Sequence, residues 1–102
     1  MKDHMSPISV VRRARERITD LNRWCVGYTA LDEEKEPISP SDPNAVQWCA
    51  IGALHAEASD LEEYEMARRL LGSASLAGLN DLEGHQAVLD KFDEAIQLHA
   101  QP

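Results

Sequence analysis

Cys49 and His85 are the pair whose residue types suit nucleophilic chemistry, a thiol that can form a thiolate and an imidazole that can take its proton. Asn80 and Asp81 lie shortly before the histidine, where either could orient the ring. Gln47 lies two residues before the cysteine, where its amide could donate to an oxyanion. Such a set would make a cysteine-dependent hydrolase or transferase. Each member also has a simpler structural use. Free cysteine is among the most buried residue types, Asp81 suits the N-cap of a following helix, and Asn80 suits a left-handed turn. The sequence predicts none of the strands on which enzymes of this kind mount their histidine.

Cys49, His55, His85 and His99 are the other ligand types a metal could use. No Cys-x-x-Cys or His-x-x-x-His pair brings two of them close in sequence, so neither a metal nor another cofactor is expected. Trp24 and Trp48, with Gln47, are candidate binding residues. A buried indole needs a partner for its N–H, and an exposed one marks a contact surface. The chain contains no glycine-rich phosphate loop and no serine nucleophile motif.

The elements that must position these groups are helical by composition, with much Ala and Leu and few aromatic or β-branched residues. Ser6-Pro7 opens the first helix with a capping hydroxyl and a proline at its first position. Val11, Ala14, Ile18 and Leu21 give that helix an apolar face, and it is expected to run to about Trp24. Arg12, Arg13, Arg15 and Arg17 read as its charged solvent face. Prolines and acids between Leu31 and Asn44 stop any helix, and residues 31–42 are expected to form a mobile loop.

Asp42-Pro43 repeats the cap-then-proline signal and predicts a second helix to about Ala58, with Cys49 in its first two turns, where the helix dipole lowers a thiol pKa. This helix is apolar nearly all round through Trp48-Cys49-Ala50-Ile51-Gly52-Ala53-Leu54, so it is expected at the centre of the fold, with Gly52 admitting another helix closely. Ser59-Asp60-Leu61-Glu62 has capping-box spacing and opens a third helix with Leu61, Tyr64, Ala67 and Leu71 inward, ended by Gly72. After a short connector, Val88, Leu89, Phe92, Ala95 and Ile96 mark the last helix.

The chain of 102 residues carries a formal charge of −8, unevenly spread. Residues 1–24 hold six basic and three acidic side chains, and residues 25–102 hold four and fifteen. The acidic body disfavours direct nucleic-acid binding and suits an unidentified protein partner, a basic one above all. An acidic mimic of nucleic acid is a further reading. Two cysteines make no disulfide framework and read as free thiols, with a Cys25–Cys49 bridge left open by the sequence. No apolar run approaches the roughly 20 residues of a membrane span, and a cytoplasmic location is expected. His4-Met5 matches a common cloning junction, so residues 1–5 are expected to be a disordered or vector-derived start.

Trp24, Trp48-Cys49-Ala50-Ile51-Gly52-Ala53-Leu54, Leu79-Asn80-Asp81 and His85, Val88 and Ala95-Ile96 resemble a family of small uncharacterised bacterial and phage proteins, a domain of unknown function. The resemblance runs from about Val10 to Leu98. Where members commonly place a glycine in the turn after the first tryptophan segment, this chain has Asp32-Glu33-Glu34-Lys35. The resemblance implies a fold and a set of positions, and no activity. Together these readings predict an all-α protein, a compact irregular or orthogonal bundle of about four helices over residues 6–100. The expected function is a small non-catalytic protein-interaction module, of the kind phages and mobile elements carry, with the Cys49–His85 enzyme as the alternative.

Overall fold

The computed structural model describes residues 6–72 and 75–99, and the expected vector-derived start at residues 1–5 lies outside them. The described chain is mostly helical. Its elements in order are α1 (Pro7–Arg17), a 3-10 turn (Leu21–Arg23), β1 (Ala30–Leu31), β2 (Gln47–Trp48), α2 (Ala50–Glu57), α3 (Leu61–Leu70), the single turn α4 (Leu76–Gly78), a π turn (Leu79–Glu83) and α5 (His85–Leu98). The small sheet corrects the all-α expectation.

α1 starts where its sequence signals place it, with Pro7 at the first position and the Ser6 hydroxyl accepting from the Ser9 N–H at 3.3 Å. It stops at Arg17 rather than near Trp24. The Thr19 hydroxyl turns back to donate to the Arg15 carbonyl at 2.9 Å, and Asp20 accepts from the Asn22 N–H at 2.8 Å to start the 3-10 turn. Short polar side chains that bond their own backbone compete with helix in this way. As a result Leu21, expected on the inner face, is 61% exposed.

α1, and not α2, is the hub of the molecule. Val10, Val11, Ala14 and Ile18 are fully buried, and the helix packs against α2, α3 and α5. Its arginines conceal this in the sequence, because a narrow apolar stripe suffices when three helices converge on it. α2 is also buried, through Ala50, Gly52, Ala53 and Leu54, but has only eight residues.

Asp42-Pro43 opens a turn instead of α2. Asp42 Oδ1 accepts from the Asn44 N–H at 2.8 Å and the Asp42 carbonyl accepts from the Ala45 N–H at 3.0 Å. Asp then Pro is favoured at the first two positions of a type I turn as well as at a helix start, so the signal is shared. The chain then runs extended through β2, which pairs antiparallel with β1 in the register Ala30 opposite Trp48. On its other side, Trp48 accepts from the Cys25 N–H at 3.1 Å. β2 is thus held between two backbones and aims Cys49 at the start of α2.

Residues 31–42 make several local hydrogen bonds. Asp32 Oδ1 accepts from the N–H groups of Glu34 and Glu36, and the Ile38 N–H donates to the Ala30 carbonyl at 3.1 Å. Lys35 there has φ +66°, a conformation glycine adopts more readily.

Gly52 serves a close approach, though to an extended backbone and not to another helix. A Cβ at this position would lie 1.7 Å from the Thr29 carbonyl oxygen. At the start of α3 the box is shifted by one residue from expectation. Asp60 is the cap and accepts from the Glu63 N–H at 2.8 Å, while Glu63 Oε1 accepts from the Ser59 N–H at 2.9 Å. Leu61 is consequently 64% exposed, whereas Ala67 and Leu71 are buried as expected, and Gly72 ends the helix at φ +89°. In α5, Val88, Leu89, Phe92 and Ala95 close the core.

Candidate functional site

Asn80 joins the parts of the candidate site. The π turn closes with the Gly84 N–H on the Leu79 carbonyl at 3.3 Å, and within this wide turn Asn80 is only 1% exposed while Leu82 is 86% exposed. Asn80 Oδ1 accepts from the Trp24 indole N–H at 2.6 Å and from the Ala50 N–H at 3.0 Å. Its Nδ2 donates to the Cys25 carbonyl and to Asp81 Oδ1, both at 3.0 Å. One amide therefore ties the π turn to the segment after α1 and to the first turn of α2. The sequence reading of Asn80 as a local turn residue is corrected, because three of its four hydrogen bonds span 30 to 56 positions of chain.

Asp81 does not cap α5, whose N-cap is Gly84 with no side-chain bond. Its Oδ1 instead accepts from the Gly27 N–H at 3.2 Å, holding the turn where Gly27 has φ +83°. Both bonds that Asp81 receives end on Oδ1.

Cys49 is the N-cap of α2 and not a residue of its interior turns. Its Sγ accepts from the Gly52 N–H at 3.3 Å. Burial pushes its pKa up, against the lowering effect of the Gly52 and Ile51 N–H groups, so desolvation prevails over the helix terminus. Cys25 is pushed up to about 11, chiefly by burial, with Cys49 and Asp81 adding to it. Both thiols are free and buried. There is no Cys25–Cys49 bridge.

His85 is directed elsewhere. Its Nε2 lies 2.6 Å from the Ile18 carbonyl oxygen, which can only accept, so Nε2 carries a proton. Its ring packs on Trp24 at 5.2 Å and 45°. Gln47 is likewise engaged, accepting from Lys35 Nζ at 2.9 Å and donating to the Asn22 carbonyl at 3.0 Å. His55 stacks on Tyr64 at 3.7 Å and 8°, with its pKa lowered by burial. Among the described residues, no three His, Cys, Asp or Glu side chains converge as metal ligands.

What the fold does bring together is an open groove of about 150 Å³ over Cys49 and Asn80. Gly27, Tyr28, Thr29, Ile51, Ala77 and Asp81 complete its lining, and His85 is not part of it. Tyr28 in its lining is 54% exposed, and Val26, two residues earlier in the chain, is 47% exposed. The sequence reading missed Tyr28 and Ala77, whose only signal was their position next to the Gly27 and Asn80 turns.

Trp48, the other candidate binding residue, is a platform. It is 4% exposed, and its indole N–H donates to the Pro40 carbonyl at 3.0 Å. The Arg17 and Arg23 guanidinium carbons lie 4.5 and 5.3 Å from its ring centroid. Arg17 also donates to Glu57 Oε2 from Nε at 2.8 Å and from Nη2 at 2.5 Å. Arg17 was read from sequence as part of a solvent face and Arg23 was not singled out, because a cation over a ring has no sequence periodicity.

Among the described residues, no helix is long and apolar enough to cross a membrane. No curated protein and no solved structure shows significant similarity to this chain. A family model matches residues 3–98, which takes in the Asn80 junction, both tryptophans and both cysteines, and the chain therefore belongs to the family of unknown function DUF6197.

Proposed function

We propose that the chain is a non-catalytic protein-interaction module that takes a short segment of a protein partner into the groove over Cys49 and Asn80. One observation carries this reading. The polar groups a Cys-His-Asn site would need are spent on the fold: Asn80 on Trp24, Ala50 and Cys25, His85 on the Ile18 carbonyl, and Cys49 on the Gly52 N–H. What stays open beside them is apolar surface on Tyr28, Ile51 and Ala77, with Asp81 at its edge.

The partner segment that fits is an apolar side chain for the groove, next to a Lys or Arg that meets Asp81. Asp81 is exposed, and its Oδ2 is left for such a cation. The acidic body of the protein favours the same sign of partner. A reducing, cytoplasmic setting fits the two free thiols.

Selection from a random peptide display library tests the proposal. Enriched peptides are expected to pair an apolar residue with a nearby basic one, and to lose binding in Ala77→Arg and Asp81→Asn while keeping it in Leu61→Ala, outside the groove. Peptides that share no such pattern, or that bind all three variants equally, would overturn it.

Cysteine chemistry is the second reading, favoured by Cys49, Asn80 and Asp81 lining one cavity. The raised thiol pKa and the engagement of His85 with Ile18 weigh against it. Any turnover that disappears in a well-folded Cys49→Ala variant would establish it over the first reading.

A further inference from the structure

A second groove, of about 500 Å³, shares no residue with the one over Cys49. It is lined by Arg13, Glu16 and Arg17 of α1, by Arg23, and by Glu57 at the end of α2. We propose that this groove binds a phosphate group, either as the free anion or as a phosphomonoester.

In a chain of net charge −8, the fold gathers three guanidinium groups around one cavity. Two of them, on Arg17 and Arg23, share the Trp48 ring at 4.5 and 5.3 Å. Trp48 is itself fixed by the Pro40 carbonyl and is almost fully buried, so it holds both cations in place. Like charges lining one groove repel unless anions intervene. Glu57 answers this for Arg17. Arg13 and Arg23 make no ion pair with the described residues.

An oxyanion between Arg13 and Arg23 would complete the arrangement. A carboxylate has two oxygens and is filled by one guanidinium fork, whereas the three terminal oxygens of a phosphate group can take two. That geometry favours phosphate over acetate. A long polyanion is disfavoured, because residues outside this region carry the acidic excess and would repel its extension. Glu16, on the groove wall, opposes the ligand and sets a limit on its affinity.

The test is calorimetric titration of the whole chain with inorganic phosphate, O-phosphoserine and acetate at constant ionic strength and pH 7.5. Saturable one-to-one binding of phosphate is expected, roughly tenfold tighter than acetate. The Arg13→Ala/Arg23→Ala variant should lose about tenfold or more, and Arg23→Lys, which keeps the charge without the fork, should also lose affinity. Glu16→Gln should bind several-fold tighter, and Arg12→Ala, exposed on the same helix but outside the groove, should bind as the parent does. Tighter binding of O-phosphoserine than of phosphate would assign the ligand to a phosphomonoester, and equal binding to the free anion, each in support. No saturation with phosphate, equal affinity for acetate, or the same loss in Arg12→Ala as in the double variant would overturn the proposal.

Discussion

Replacing Asn80 with alanine removes an amide that makes four hydrogen bonds from a position 1% exposed. Two of the groups it leaves are main-chain groups of buried residues, the Ala50 N–H and the Cys25 carbonyl. Each unsatisfied buried group costs about 1–3 kcal/mol. The Trp24 indole N–H is half-buried and can recover part of its loss from water. The expected destabilisation is about 3–5 kcal/mol, a large share of the roughly 5–15 kcal/mol that holds a domain folded. The corresponding fall in Tm is on the order of 15–30 °C for a domain of this size. Asn80→Asp should be no better at pH 7, since it loses the donor to the Cys25 carbonyl and buries a carboxylate, and it should recover partly near pH 4 as that carboxylate protonates. Urea unfolding followed by circular dichroism measures both. A loss below about 1 kcal/mol for Asn80→Ala, with unchanged denaturant slope, would refute the view that this side chain ties the three segments together.

The raised thiol pKa values predict that Cys25 and Cys49 react with iodoacetamide at pH 7.5 at least ~100-fold more slowly in the folded protein than in urea. Rapid stoichiometric labelling of Cys49 in the native state, read by mass spectrometry, would contradict this. The same shifts imply that stability is full below the ordinary thiol pKa near 9 and falls as pH rises toward about 11, because the unfolded thiols ionise first. At the acid end His55 has a lowered pKa, so the unfolded state takes up its proton first. Stability should decline as pH falls below about 6.5, and a denaturation series in His55→Gln should lack that component. Gly52→Ala improves helix propensity by about 1 kcal/mol yet drives a Cβ into the Thr29 carbonyl, so a net loss of about 2 kcal/mol or more is expected in urea unfolding. A stabilised variant would show that the contact between α2 and Thr29 is looser than 1.7 Å implies.

The amino-acid sequence by itself determined the helices and several of their ends. Pro7 behind Ser6, Asp60 at the cap of α3 with Glu63 in its first turn, and Gly72 act through bonds a few residues away, and the apolar spacing of Val88, Leu89, Phe92 and Ala95 follows from helix geometry alone. Val11, Ala14 and Ile18 were legible for the same reason, whereas Val10 was not read as core and Leu21 lies exposed beyond the end of α1. Tertiary structure decided what those signals leave open. Asp42-Pro43 fits a turn as well as a helix, and pairing of β2 with β1 and with Cys25 settled the choice by satisfying the backbone between residues 45 and 49. Two-residue strands have no periodicity to read. The site followed the same division. Cys49, Asn80, Asp81 and His85 are visible as chemistry-bearing residues in any listing of the chain. Their roles depend on partners 30 or more positions away for Asn80 and 67 away for His85, and on burial at Cys49 that outweighs the helix terminus beside it. Long-range hydrogen bonds and desolvation belong to the folded whole, and they make Asn80 a joint between segments far apart in the chain, a role its immediate neighbours do not display.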